Sequence, residues 1–107
     1  MTRSDAIDIP ASHRRIVLAI LRANLPRTAK VWVFGSRAAG RARPYSDLDL
    51  AVDAGRSLTL EELASLAEAF GESDLPYRVD LVDWRSLDDR FRRIISHGRT
   101  RLADSAA

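Results

Sequence analysis

The feature that most constrains the fold is an alternation of carboxylates and apolar residues in the middle of the chain. Acidic and apolar side chains occupy successive positions in Asp47-Leu48-Asp49-Leu50. Residues two apart in a β-strand point to the same side of the sheet, so residues 47–53 are predicted to form a strand with an apolar core face. Asp47 and Asp49 would then project together from the opposite face.

A second strand and a small loop precede this acidic strand. Lys30–Phe34 is rich in β-branched and aromatic residues, which favours a strand, and Gly35 and Ser36 follow directly. A glycine lets the backbone approach a phosphate closely, and neighbouring N–H and hydroxyl groups can donate hydrogen bonds to it. The nearby Asp pair suits Mg²⁺, which binds carboxylate and phosphate oxygens. Loop and pair together predict a metal-dependent site for a nucleoside triphosphate.

The remaining elements alternate between helices and strands. Apolar residues at helical spacing predict a helix over residues 12–24, and Thr59-x-x-Glu62 forms a capping box that opens a second helix. Residues 77–83 are predicted to form the third strand, and residues 86–97 the last helix with its cap. This order, αβ(α)βαβα, predicts an α/β (α+β) fold with helices packed on one face of a small mixed β-sheet.

The ordered combination of glycine loop, spaced Asp pair and later acidic strand resembles the nucleotidyltransferase superfamily that includes DNA polymerase β. The motifs that carry the resemblance are Gly35-Ser36-Arg37-x-x-Gly40, Ser46-Asp47-x-Asp49-Leu50 and Val79-Asp80-Leu81-Val82-Asp83. Because the chain is short, it is most similar to the minimal members of that superfamily, the MNT antitoxins of HEPN–MNT toxin–antitoxin pairs. The resemblance covers residues 30–87 and implies a polymerase β-like core.

The resemblance also implies which carboxylates carry the chemistry. Asp47 and Asp49 would be catalytic and would bind two Mg²⁺ ions, together with a third carboxylate from the last strand. Asp80 and Asp83 are both candidates, but they are three residues apart and therefore point to opposite faces. The family pattern matches Asp80, so Asp83 is expected to be a strand-end residue beside the next helix cap.

The same resemblance assigns the nucleotide to the glycine loop. Gly35, Ser36 and Arg37 are expected to bind the phosphates of ATP, although Arg37 could equally pair with surface acids. Asp53 shares the face of Asp47 and Asp49 but lies farther along, and it is expected to be a strand-end residue.

The implied function is an antitoxin enzyme that transfers AMP from ATP to a hydroxyl group of a cognate HEPN ribonuclease toxin. In that family the acceptor is typically a tyrosine. One alternative is an antitoxin that masks its toxin by binding alone. Another is a nucleotidyltransferase for small molecules, which is disfavoured because those enzymes usually carry an added helical domain that binds the acceptor.

Length and composition set the remaining expectations. The 107 residues predict one minimal nucleotidyltransferase domain over 1–107, with residues 1–10 and 103–107 flexible. Because the chain has no cysteine, disulfides and thiolate zinc sites are excluded. The sequence lacks an apolar leader and a long apolar run, so a cytoplasmic protein without membrane contact is expected. A net charge of +2 with dispersed acids argues against direct binding of long nucleic acid.

Overall fold

Four strands and four α-helices, together with one short 3₁₀ helix, make up residues 7–104 of the chain. The structure is a computed structural model that describes residues 7–104. In chain order the elements are α1 (Ala11–Asn24), β1 (Lys30–Phe34), α2 (Ser36–Ala39), β2 (Leu48–Asp53), α3 (Leu60–Gly71), β3 (Val79–Asp83), a short 3₁₀ helix (Trp84–Ser86), α4 (Asp89–Ser96) and β4 (Thr100–Asp104).

The strands form one mixed sheet in the order β3-β2-β1-β4. β1 is antiparallel to both β2 and β4, whereas β2 and β3 are parallel. In this register Asp49 lies opposite Phe34 on one side and opposite Asp80 on the other. The mixed sheet confirms the expected fold class.

The main core lies between the sheet and helices α1 and α3. Alternate residues of β1 and β2 are almost fully buried, as the period of two requires: Val31, Val33, Leu48, Leu50 and Val52. The helices contribute buried residues from one face each: Val17 and Leu21 from α1, and Leu66 and Phe70 from α3. This packing confirms that the apolar side of the acidic strand faces the core.

The middle of the opposite sheet face is covered by aromatic rings and an arginine. The rings of Trp32 and Trp84 lie 5.6 Å apart between centroids. The Arg99 guanidinium lies 4.3 Å from the Trp32 ring and 4.7 Å from the Trp84 ring, within range of cation–π attraction. This cover leaves carboxylates at both ends of the face.

The predicted helix signals are partly confirmed. Thr59 and Glu62 form the expected reciprocal capping box at the start of α3. The last helix begins two residues later than the Ser86 cap predicted: Asp88 is its N-cap and accepts a hydrogen bond from the Phe91 N–H. Ser86 is not available as the cap, because it lies in the 3₁₀ helix and its hydroxyl donates to the Asp83 carboxylate at 2.7 Å.

The strand β4 was not predicted. Residues 100–104 carry mixed side chains without clear alternation, and they become a strand because β1 offers them an antiparallel partner. Residues 1–6 and 105–107, which were expected to be flexible, lie outside the described residues. Ile7 joins the core, and the Asp8 N–H donates to the Arg37 carbonyl at 2.8 Å. No helix within residues 7–104 combines the length and apolarity that crossing a membrane would require.

Candidate active site

Parallel pairing of two strands brings the predicted carboxylates together. Asp49 is the second residue of β2 and Asp80 the second residue of β3, and the register places them directly opposite each other. Asp47 lies just before β2, on the same side as Asp49. The structure therefore brings Asp47, Asp49 and Asp80 to one end of the sheet.

The glycine loop adjoins these carboxylates because β1 ends beside β2. Gly35 follows the last residue of β1 and has φ = +75° and ψ = −154°, a conformation open to glycine. A Cβ atom at this position would collide with the Asp49 carboxylate. Ser36 then begins α2, which ends at Ala39 and is followed by Gly40 in the left-handed region. The loop therefore needs glycine both for its backbone angle and for its contact with the acidic strand.

Negative charge is concentrated at this end of the sheet. Partial burial raises the pKa of Asp49, and the neighbouring carboxylates of Asp80 and Asp47 raise it further. The positive charge of Arg78 acts in the opposite direction but does not outweigh them. A site with this balance favours binding of an additional cation.

An arginine that sequence reasoning missed lies among the carboxylates. Arg78 Nη2 is 3.2 Å from Asp47 Oδ2, and Arg78 Nε is 3.4 Å from Asp80 Oδ1. Arg78 precedes Asp80 by two residues, so strand alternation places both on the same side of the sheet. That spacing is the sequence signal that could have identified it.

The chemistry of these donors fits a divalent cation. Three carboxylates supply the hard oxygen ligands that Mg²⁺ prefers, and a guanidinium already lies between two of them. Within residues 7–104, no three acidic or imidazole groups already converge on a single metal position. By the chemistry of their side chains, Asp47, Asp49 and Asp80 are the residues of this site that could bind a divalent cation.

Arg37 takes a different position from the phosphate-binding one expected of it. Its side chain is buried, with 3% of the residue exposed. The guanidinium donates hydrogen bonds only to backbone carbonyls among the described residues, those of Ser46, Pro44, Arg43 and Asp8, at 2.8–3.3 Å. We therefore assign the Arg37 side chain to shaping the loop that leads to Asp47, because its donors already serve that loop.

The Arg37 guanidinium packs against the ring of Tyr77. The Arg37 guanidinium lies 3.9 Å from the centroid of the Tyr77 ring, and the Tyr77 hydroxyl is hydrogen bonded to His13 Nδ1 at 2.9 Å. Burial raises the pKa of Tyr77, so its hydroxyl stays neutral. The loop and the first residues before β3 are thus fixed to α1.

Two further acidic residues, at the ends of β2 and β3, serve the structure. Asp83 is buried, and its carboxylate accepts hydrogen bonds from the Leu58 N–H at 2.8 Å and the Ser86 hydroxyl at 2.7 Å. Asp53 ends β2 and accepts hydrogen bonds from Arg85 Nε at 2.8 Å and the Gly55 N–H at 2.9 Å. Both positions confirm the strand-end roles expected of them.

Comparison with known proteins identifies relatives of the whole core. Residues 17–105 match the family described as Polymerase beta, Nucleotidyltransferase. The chain is 46% identical over 95 residues to the probable protein adenylyltransferase MntA of Haemophilus influenzae, which covers 89% of this chain and 82% of that protein.

Solved structures show the same fold. The chain matches a crystal structure of a toxin–antitoxin with AMP-PNP, with a TM-score of 0.73 and 30% identity over 84% of this chain and 72% of that chain. It also matches a structure of the tri-AMPylated Shewanella oneidensis HEPN toxin in complex with MNT antitoxin. That match has a TM-score of 0.67 and 28% identity, over 86% and 70% of the two chains.

The mixed sheet and the glycine loop beside the acidic strand agree with the family that these similarities indicate. The chain belongs to the polymerase beta nucleotidyltransferase family.

Proposed function

We propose that this protein is a Mg²⁺-dependent protein adenylyltransferase antitoxin that modifies a HEPN-family toxin. It transfers AMP from ATP to a hydroxyl group of the toxin, expected to be that of a tyrosine. The observation that carries the proposal is the pairing of Asp49 with Asp80 beside Gly35, with Asp47 at the entrance to the same strand. Similarity to MntA supports AMP as the transferred group and a toxin as the acceptor.

The reaction assigns separate roles to the site residues. A bond forms between the acceptor oxygen and the α-phosphorus of ATP, the bond to the bridging oxygen breaks, and pyrophosphate leaves. Bound metal, expected as two Mg²⁺ ions, would neutralise charge on the phosphates and on the attacking and leaving oxygens. Asp47, Asp49 and Asp80 would hold that metal, and the Asp80 carboxylate would accept the proton of the acceptor hydroxyl.

The glycine loop binds the nucleotide in this proposal. Gly35 lets the backbone approach the phosphates, and Ser36 donates its hydroxyl and N–H to them. Arg37 contributes indirectly, because its guanidinium fixes the carbonyls of Pro44 and Ser46 just before Asp47. The nucleotide is thus held between the loop and the acidic end of the sheet.

The acceptor is presented by a second protein. Residues 7–104 form the nucleotidyltransferase core, and the three carboxylates lie at an accessible end of it: the Asp47 and Asp80 side chains are 42% and 45% exposed. A docked toxin could therefore reach the site with a side-chain hydroxyl. Because ATP is the donor, we place the reaction in the cytoplasm.

Incubation with the cognate HEPN toxin, α-labelled ATP and MgCl₂ tests this function. We expect label on the toxin, added AMP on tyrosine by mass spectrometry, and lower toxin ribonuclease activity. Omission of MgCl₂ in the presence of a chelator should abolish the transfer.

Two matched variants separate modification from masking. Asp47→Asn removes a proposed metal ligand, whereas Asp53→Asn changes a carboxylate at the other end of the same strand face. Transfer by Asp53→Asn but not by Asp47→Asn would support the proposal. If Asp47→Asn still neutralised the toxin fully at equal concentration in cells, the proposed modification would be wrong as the mechanism, and the antitoxin would act by binding alone.

A further inference from the structure

The Arg78 side chain spans two carboxylates from separate parts of the chain. Its Nη2 pairs with Asp47 before β2, and its Nε pairs with Asp80 on β3. Within residues 7–104, these two carboxylates are the only side chains that the guanidinium pairs with. Asp47 and Asp80 are also two of the three residues that would hold Mg²⁺, so one cationic group occupies ligands that a metal ion requires.

The contacts of Arg78 are easily exchanged. Its side chain is 73% exposed, and both N–O distances exceed 3 Å. Exposed ion pairs of this kind contribute little to stability. Arg85 provides a contrast, since its Nε approaches the Asp53 carboxylate to 2.8 Å and Asp53 is also held by the Gly55 N–H. Arg78 can therefore leave its partners at low cost.

The charges at the site favour replacement of Arg78 by a metal ion when nucleotide is present. Three carboxylates lie together at this end of the sheet, and the Arg78 guanidinium offsets part of their charge by pairing with Asp47 and Asp80. A divalent metal ion brings more charge to the same oxygens and would repel the guanidinium. ATP brings a new set of anionic oxygens with which a displaced arginine can pair.

We propose that Arg78 competes with the metal ion for Asp47 and Asp80 and thereby couples metal binding to nucleotide binding. The inference rests on the proposed function, because it takes these carboxylates as the metal ligands. Without nucleotide, Arg78 holds the two carboxylates and weakens the binding of free metal. With nucleotide present, the guanidinium transfers to phosphate oxygens and metal binds more tightly. Arg78 is thus a positioning residue that favours joint loading of metal and ATP.

Metal titration of the full chain tests the competition without measuring catalysis. Free Mn²⁺ is followed by electron paramagnetic resonance for the wild type, Arg78→Gln, Arg78→Lys and the control Arg85→Gln. We expect Arg78→Gln to bind Mn²⁺ alone roughly three- to tenfold more tightly, because two exposed ion pairs no longer oppose the metal. Arg78→Lys should lie between Arg78→Gln and the wild type, and Arg85→Gln should match the wild type.

A second titration with AMP-PNP present tests the coupling. The nucleotide should tighten Mn²⁺ binding more in the wild type than in Arg78→Gln, because only the wild type has a guanidinium to transfer. Unchanged or weaker Mn²⁺ affinity in folded Arg78→Gln would overturn the competition, and equal tightening by AMP-PNP would overturn the coupling. If these affinities behave as expected while no variant transfers AMP to the toxin, the proposed function fails and the inference about Arg78 stands.

Discussion

Two ends of one sheet face carry carboxylates in opposite circumstances. At one end, Asp47 and Asp80 share one exposed arginine. Partial burial raises the pKa of the neighbouring Asp49, and repulsion from Asp80 and Asp47 raises it further. At the other end, hydrogen bonds from Arg85 and the Gly55 N–H lower the pKa of Asp53 despite its partial burial. The comparison shows how a structural carboxylate differs from one available to a ligand on the same face. The fold gives the structural carboxylate close hydrogen-bond donors, whereas the available one lies beside other carboxylates.

The first test of this contrast concerns activity, where the largest effect is expected. Asp49→Asn should reduce AMP transfer by about 100-fold or more, since it removes a charged ligand from a metal-assisted step. Asp53→Asn should stay within a few-fold of the wild type, because its hydrogen bonds lie outside the site. Initial rates with labelled ATP measure both, and comparable losses in the two variants would end the distinction.

The second test concerns stability and should give the reverse order. Asp83→Ala leaves the buried Leu58 N–H without its acceptor, which should lower the free energy of unfolding by roughly 1–3 kcal/mol. It also removes the acceptor of the exposed Ser86 hydroxyl. Asp80→Ala removes only exposed pairing with Arg78 and should change the free energy by less. Urea unfolding of the metal-free proteins provides the comparison. A greater loss for Asp80→Ala would mean that the active-site end also supports the fold.

The third test measures how the free energy of unfolding depends on pH, where the smallest effects are expected. The pKa of Asp49 is raised in the fold, so its ionised form is penalised, and Asp49→Asn should gain stability over the wild type as pH rises above 3.8. The pKa of Asp53 is lowered, so its stabilising effect is present above 3.8 and is lost as pH falls below it. Asp53→Asn should therefore be less stable than the wild type at neutral pH, and the difference should shrink in acid. Urea unfolding at pH values from about 3 to 7 measures both effects, because this range spans the ordinary carboxyl pKa of about 4. The contrast would be refuted if Asp49→Asn and Asp53→Asn changed the free energy of unfolding at neutral pH in the same direction.

Strand alternation predicted much of this arrangement from the sequence. It assigned Leu48 and Leu50 to the core and separated Asp80 from Asp83 by their opposite faces, and both assignments agree with the burial found. Period-two patterns are local, so they can be read without knowledge of the partner strand. The capping box of Thr59 and Glu62 is local in the same sense.

The features that were missed depend on distant contacts. Strand β4 forms because it pairs with β1, and the sequence of residues 100–104 alone does not predict that pairing. Arg78 lies beside Asp47 only because β2 and β3 run parallel, although its spacing from Asp80 was visible. Arg37 was assigned to phosphate by its place in the motif, whereas burial directs its guanidinium to the loop.

The contacts of Arg37 also determine which parts of the loop can change. Its guanidinium holds Arg43, Pro44 and Ser46 by their carbonyl oxygens, which every amino acid possesses. The Arg43 and Tyr45 side chains point outward, and Tyr45 is 76% exposed. The shape of this loop therefore does not depend on the side chains at positions 43 and 45. Those exposed side chains could change while the carboxylates next to the loop keep their positions.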